Sequence, residues 1–255
     1  SQGGHATMAA VKEIESNYSD QLSITASCPM AGPYSMSEAQ RLMLESGEPY
    51  PNPGYLPYVL FAYDKIYDLY DNINDVLKPE YINLESMYNG EYDMWEINYE
   101  MWSIGQDVFG ISPNNFTPTQ IFQDKYYQEY LENDNHPFRI ALADNDVYDF
   151  IPQSPMQLIH CSGDDNVIYE NSLVAYNYFT EYNVPNIELI DGGNLNHTEC
   201  APLAILAAKI WIDSLAELCE PTDIEENTRN MKEVIHRIDF LGRQLNEYQT
   251  HQNTI

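Results

Sequence analysis

Between Met156 and Leu218 the chain alternates short apolar runs with helical patterns, and this alternation restricts the fold more than any other feature. MQLIHC (156–161) reads as a strand and Asn171–Tyr182 as a helix with apolar Leu173, Val174, Tyr178 and Phe179. Ile187–Ile190 reads as a second strand, and Cys200–Leu218 as a long apolar helix. Strands separated by helices at this spacing imply a parallel sheet with both faces covered. Near the start, Gly4–Asn17 reads as a helix with apolar Ala6, Met8, Ala9, Val11 and Ile14. Gln21–Ser27 (QLSITAS) is rich in β-branched residues and reads as a buried strand, stopped by the breakers Pro29 to Pro33.

From Ser35 to about Asp149 the pattern changes. Helical periods dominate over Leu56–Tyr70, where Tyr63, Tyr67 and Tyr70 share a face, and over Asn83–Trp102 and Thr117–Asn133. Ser37 and Thr117 suit N-caps. Fifteen of the 21 tyrosines lie between Tyr34 and Tyr148, so the block reads as a helical insertion. Forty acidic side chains against eleven basic ones give a net charge of −29, which repels nucleic acid and anionic membranes. No apolar run approaches the roughly 20 residues of a membrane span, and Lys209 and Asp213 interrupt the longest. No acidic segment has EF-hand spacing, and none of Cys28, Cys161, Cys200 and Cys219 forms a C-x-x-C pair, so neither a calcium loop nor a zinc or redox motif is expected.

Three groups could carry chemistry. The chain opens Ser1-Gln2-Gly3-Gly4-His5, the second half of a nucleophile elbow. There a serine sits on a tight strand-to-helix turn, and small residues let the two backbones approach. The stretch His160 to Val167 (HCSGDDNV) follows a strand and offers Asp164 or Asp165 to orient a histidine. Asn194-Leu195-Asn196-His197 follows the next strand and precedes the last helix. The order Ser, Asp, His, with the acid and the base each just past a strand, is that of a hydrolytic triad on an open α/β sheet. Alternatively, Ser1 is a helix N-cap, or a nucleophile using its own amine as base.

SQGGHATMAA, TASCPMAGPYSMS, LIHCSGDDNVIYENS and LNHTECAPLA together resemble the α/β-hydrolase family, and within it secreted bacterial lipases and esterases, over residues 1 to about 218. The resemblance implies the C-terminal half of a mostly parallel sheet with a helical cap. Core segments 1–34 and 151–219 would flank a cap at 35–150. It implies Ser1 as nucleophile, Asp164 in preference to Asp165 as acid, His197 as general base, and the Gln2 backbone N–H as an oxyanion donor. His160, Asp164 and Val167 fit an H-x-x-x-D-x-x-V frame, with Ile168 where the family commonly has proline; His5 and His160 read as structural. If the acid and base loops converge, Cys161 and Cys200, three residues from Asp164 and His197, come within disulfide reach. The cap's tyrosines, with Trp95 and Trp102, either line an acyl pocket or pack its helices.

Residues 220–255 read as a linker and a partial tail. Asn227 to Arg243, centred on IDFLGR, resembles the start of a C-terminal sorting domain of the type IX secretion system, which implies that machinery as a partner and a secreted or cell-surface location. The implied activity is ester hydrolysis on a small-molecule or lipid ester, and the triad chemistry that the resemblance implies requires no metal or organic cofactor. A serine peptidase or amidase, a polysaccharide deacylase on the same fold, and a non-catalytic surface binding protein are the rivals. Both ends read as truncated, so the 255-residue chain alone is expected to be inactive and poorly stable. A cooperative thermal transition together with ester turnover by this chain would count against that expectation.

Overall fold

The structure is a computed structural model and describes residues 2–215. It has the α/β-hydrolase fold with a helical insertion. Helix α1 spans Gln2–Asn17. The insertion follows with α2 (Arg41–Glu45), α3 (Tyr55–Tyr67), α4 (Met94–Phe109), α5 (Asp124–Glu132) and α6 (Pro137–Asp144), joined by short 3₁₀ segments. The α/β part resumes with β1 (Met156–His160), α7 (Glu170–Glu181), β2 (Ile187–Asp191) and α8 (His197–Leu215).

Strand β1 is buried at all five positions and pairs in parallel with β2, Met156 opposite Ile187 through His160 opposite Asp191. Its side chains alternate between the two faces, as strand geometry requires. Met156 and Leu158 pack with Met8 and Val11 of α1 and with Ala175 and Phe179 of α7. Ile159 packs on the other face with Cys28, Ala204 and Ala208. The insertion has its own core, in which Leu60, Leu77, Tyr81, Met101, Phe116 and Leu142 are among the fully buried side chains.

The strand expected over Gln21–Ser27 is not formed. Leu22 is exposed, and pairing with β1 starts only at Ser27, as parallel bridges Ser27–Met156 and Met30–Ile159. The ladder is carried by Gln157 N–H to Ser27 O at 3.0 Å and Ala31 N–H to Ile159 O at 3.0 Å. Between them stands Pro29, which has no N–H to donate, so the pairing is not continuous. In the insertion, the helix expected over Asn83–Trp102 splits into a 3₁₀ segment, Pro79–Met87, and α4. The break is encoded locally: Asp93 and Glu96 form a capping box that starts α4 afresh. Ser35, not Ser37, caps the first turn of the insertion, and Thr117 makes no side-chain cap bond.

Helix α1 lies so close to the turn after the first β1 partner that side chains are excluded there. A Cβ on Gly4 would stand 2.1 Å from the Met30 carbonyl oxygen, and one on Gly32 would stand 2.5 Å from the His5 nitrogen. Gly3 has open space. Gly4→Ala is therefore expected to destabilise by about 1–3 kcal/mol through overpacking, whereas Gly3→Ala should be neutral or stabilising by up to about 1 kcal/mol through helix propensity. Urea unfolding of the two variants checks this contrast.

Candidate active site

The turn after β1 presents Asp164, whose side chain is fully buried. Its Oδ1 accepts the N–H groups of Asn166 and Val167, each at 2.9 Å. Its Oδ2 lies 2.6 Å from His197 Nδ1 and 3.3 Å from His160 Nε2. Burial alone would raise the Asp164 carboxyl. The hydrogen bonds from His160, His197, Val167 and Asn166 outweigh it and hold the group well below the usual carboxylate range. A carboxylate only accepts, so His197 Nδ1 carries the hydrogen of this bond. His160 is fully buried between Ser172 Oγ (2.8 Å from Nδ1) and the Val167 carbonyl (2.9 Å from Nε2). Since a carbonyl cannot donate, its Nε2–H points at Val167 and Asp164.

His197 is the first residue of α8, and the sequence sets that start. Asn196 Oδ1 accepts the Glu199 N–H at 2.9 Å, and Glu199 Oε2 accepts the Asn196 N–H at 3.3 Å, a reciprocal cap. Asp165 Oδ1 accepts the His197 backbone N–H at 3.2 Å. The two adjacent acids thus divide the work: Asp164 faces the ring and Asp165 the backbone.

Further contacts tie the acid loop to the base loop. Asp191 Oδ1 accepts the N–H of Ser162 at 3.0 Å and of Gly193 at 2.8 Å. Gly163 lies against Asn194, where an added Cβ would come within 2.6 Å of the Asn194 side-chain oxygen. Cys161 and Cys200 are joined by a disulfide with their Cα atoms 6.0 Å apart. Sequence reasoning did not single out Asp191; the signal available was its place at a strand end before Gly192-Gly193, where an aspartate commonly closes a turn.

A cavity of about 300 Å³ is lined mainly by apolar side chains of the insertion, among them Met36, Leu56, Val59, Phe138 and Leu142. Gln2, His5, Asn166 and Val167 line it from the α/β part. The Gln2 side chain donates to the Tyr58 hydroxyl at 3.2 Å. Tyr50, Tyr55, Tyr58 and Tyr63 contribute to the lining, but the tryptophans do not: Trp95 is exposed and Trp102 packs on the insertion's core. The candidate nucleophile Ser1, Cys219 and the sorting-type tail at 227–243 lie outside the described residues. Among the described residues no helix is long and apolar enough to cross a membrane.

No family model and no curated protein matches the chain. Solved structures share its fold. The rice cell wall degrading esterase LipA from Xanthomonas oryzae superposes with a TM-score of 0.65 at 24% identity, over 84% of this chain and 55% of that one. A Legionella pneumophila protein provisionally assigned as a hydrolase gives 0.71 at 20% identity, over 86% and 56%. Candida antarctica lipase A in its closed state gives 0.58 at 13% identity, over 84% and 47%. The chain spans about half the length of these structures.

The Asp164 environment has a consequence for pH. A carboxyl depressed in the folded state contributes stability that is complete above its unfolded value, about 3.9, and is lost as pH falls toward the folded one. Asp164→Asn should therefore be less stable than the parent at pH 7 and lose less on acidification below about pH 4. Urea midpoints measured from pH 7 downward test this; parallel curves for the two proteins would contradict it.

Proposed function

We propose that the complete protein is a secreted serine hydrolase that cleaves carboxylic esters, a lipase or esterase acting through an acyl-enzyme. The observation that carries this reading is the 2.6 Å hydrogen bond from His197 to the buried Asp164, formed beyond the carboxyl ends of two adjacent parallel strands. In this reading Ser1 Oγ attacks the ester carbonyl while His197 Nε2 takes its proton. Asp164 holds the ring tautomer and stabilises the imidazolium. The Gln2 backbone N–H, at the start of α1, donates to the developing oxyanion. His197 returns the proton to the departing alcohol, and water then repeats the sequence on the acyl-enzyme to release the acid. No cofactor takes part.

Residues 1–34 and 151–219 form the catalytic core in this reading, and 35–150 form a cap over the acyl site. The separate apolar core of the insertion and the apolar lining of the cavity support that division and an ester with an apolar acyl group. Residues 220–255 are read as a linker and partial sorting domain that engages type IX secretion machinery. The Cys161–Cys200 disulfide suits the oxidising, secreted or cell-surface location that this implies.

Hydrolysis of p-nitrophenyl esters by the complete protein tests the reading. Ser1→Ala and His197→Ala should each lower kcat by about 10⁴-fold or more. Unaltered turnover in Ser1→Ala would place the chemistry elsewhere, and faster cleavage of peptide than of ester substrates would make the enzyme an amidase.

A further inference from the structure

Between the insertion and the acid loop runs a chain of side-chain amides whose direction is fixed. The Gly54 backbone N–H can only donate, so Asn98 Oδ1 accepts from it at 2.8 Å. Asn98 Nδ2 must then donate to Asn52 Oδ1, at 2.9 Å. Asn52 Nδ2 in turn donates to Asn166 Oδ1. Amide orientation is often arbitrary; here a backbone donor at one end dictates every link. Asn98 is 1% exposed, so its bonds are shielded from competing water. A second strut runs parallel: the Tyr50 hydroxyl donates to the Asn166 carbonyl at 2.8 Å. Burial, with Tyr55 and the Asp164 and Asp165 carboxylates nearby, drives Tyr50 far up from its ordinary value, so it stays a neutral donor.

Asn166 is thus gripped at its side-chain and backbone oxygens by the insertion, while its N–H donates to Asp164 Oδ1 at 2.9 Å. We propose that Asn52 and Tyr50, acting through Asn166, are positioning residues for Asp164, so that the seating of the helical insertion on the acid loop sets the geometry of the Asp164–His197 pair. The catalytic consequence rests on the esterase reading; the mechanical link rests on the contacts alone. Sequence reasoning singled out none of the three, because each is a common polar residue whose partner lies far along the chain.

The test uses the complete protein, with two readouts. The first is the downfield proton resonance of the His197 ring Nδ1–H, which reports the bond to Asp164 whether or not the protein turns over. The second is kcat and KM on p-nitrophenyl butyrate. Asn52→Leu should shift the resonance upfield and broaden it, and lower kcat on the order of 10-fold with KM little changed. Lys78→Met, which removes a different hydrogen bond of the insertion, to the Gln120 carbonyl at 2.8 Å, should leave both readouts at their parent values. If the resonance in Asn52→Leu matches the parent, or if Lys78→Met moves it equally, the positioning role is overturned. Should Asn52→Leu fail to fold, Tyr50→Phe, which deletes one oxygen and keeps the ring, decides by the resonance. Unaltered turnover in Asp164→Asn would sink the esterase reading and leave the resonance to judge the link.

Discussion

A carboxylate with no exposed surface is the constraint on which the α/β part depends. Burying an ion costs several kcal/mol unless hydrogen bonds replace its water. Asp164 is supplied from three places: its own turn through the N–H groups of Asn166 and Val167, the end of β1 through His160, and the start of α8 through His197. Each supplier is itself fixed. Ser172 of α7 holds the far side of the His160 ring, and Asp165 with the Asn196–Glu199 cap holds the His197 backbone. Elements distant in sequence therefore share one electrostatic requirement. Loss of any one donor would leave the buried carboxylate with one hydrogen bond fewer to replace the water it has given up.

The same convergence explains where side chains are missing. Gly163 meets Asn194, Gly192 meets the Cys161 sulfur, and Gly4 and Gly32 meet across the start of α1. At each point a methyl group would push apart segments that the polar contacts pull together. The disulfide closes a separation of 39 residues between the acid turn and the base helix. In the chain-entropy account such a closure stabilises by about 3–4 kcal/mol, and its position concentrates that effect where the two loops must meet.

Local signals made part of this legible. β1 is buried throughout because helices cover both its faces, so MQLIH reads as a strand, whereas the reciprocal cap at Asn196 and Glu199 starts α8 at His197, three residues before the apolar run at Cys200 from which the helix is expected. Gln21–Ser27 misleads because β-branched content reports a preference for extended backbone, whereas the pairing is decided downstream, at Ser27 and Met30 on either side of Pro29. The long pattern over Asn83–Trp102 misleads in the opposite way: its apolar period runs on, but the Asp93 cap restarts the helix. At the site, loop position and chain order narrow the choice to Asp164 or Asp165 with His197, and the family resemblance prefers Asp164. Asn52, Asn98 and Asn166 do not stand out, since a hydrogen bond between residues 114 positions apart leaves no mark on either local sequence.

How the insertion joins the α/β part follows from the same distinction between local and distant partners. Among the described residues its apolar core shares no buried residue with the clusters on either face of β1. Polar groups make much of the junction. Asn171, fully buried, accepts the Ser35 N–H at 3.1 Å and donates to Gln40 at 3.1 Å, while Asn166 receives Tyr50 and Asn52. A neutral hydrogen bond adds only about 1 kcal/mol net, so these contacts contribute modest stability. Their directionality matters more. Apolar surfaces can slide with little penalty, but an amide that moves an ångström loses its bond and leaves a buried polar group unpaired. A junction of this kind specifies one orientation of the insertion, and that orientation brings its apolar side chains together with Gln2 and His5 around a single cavity.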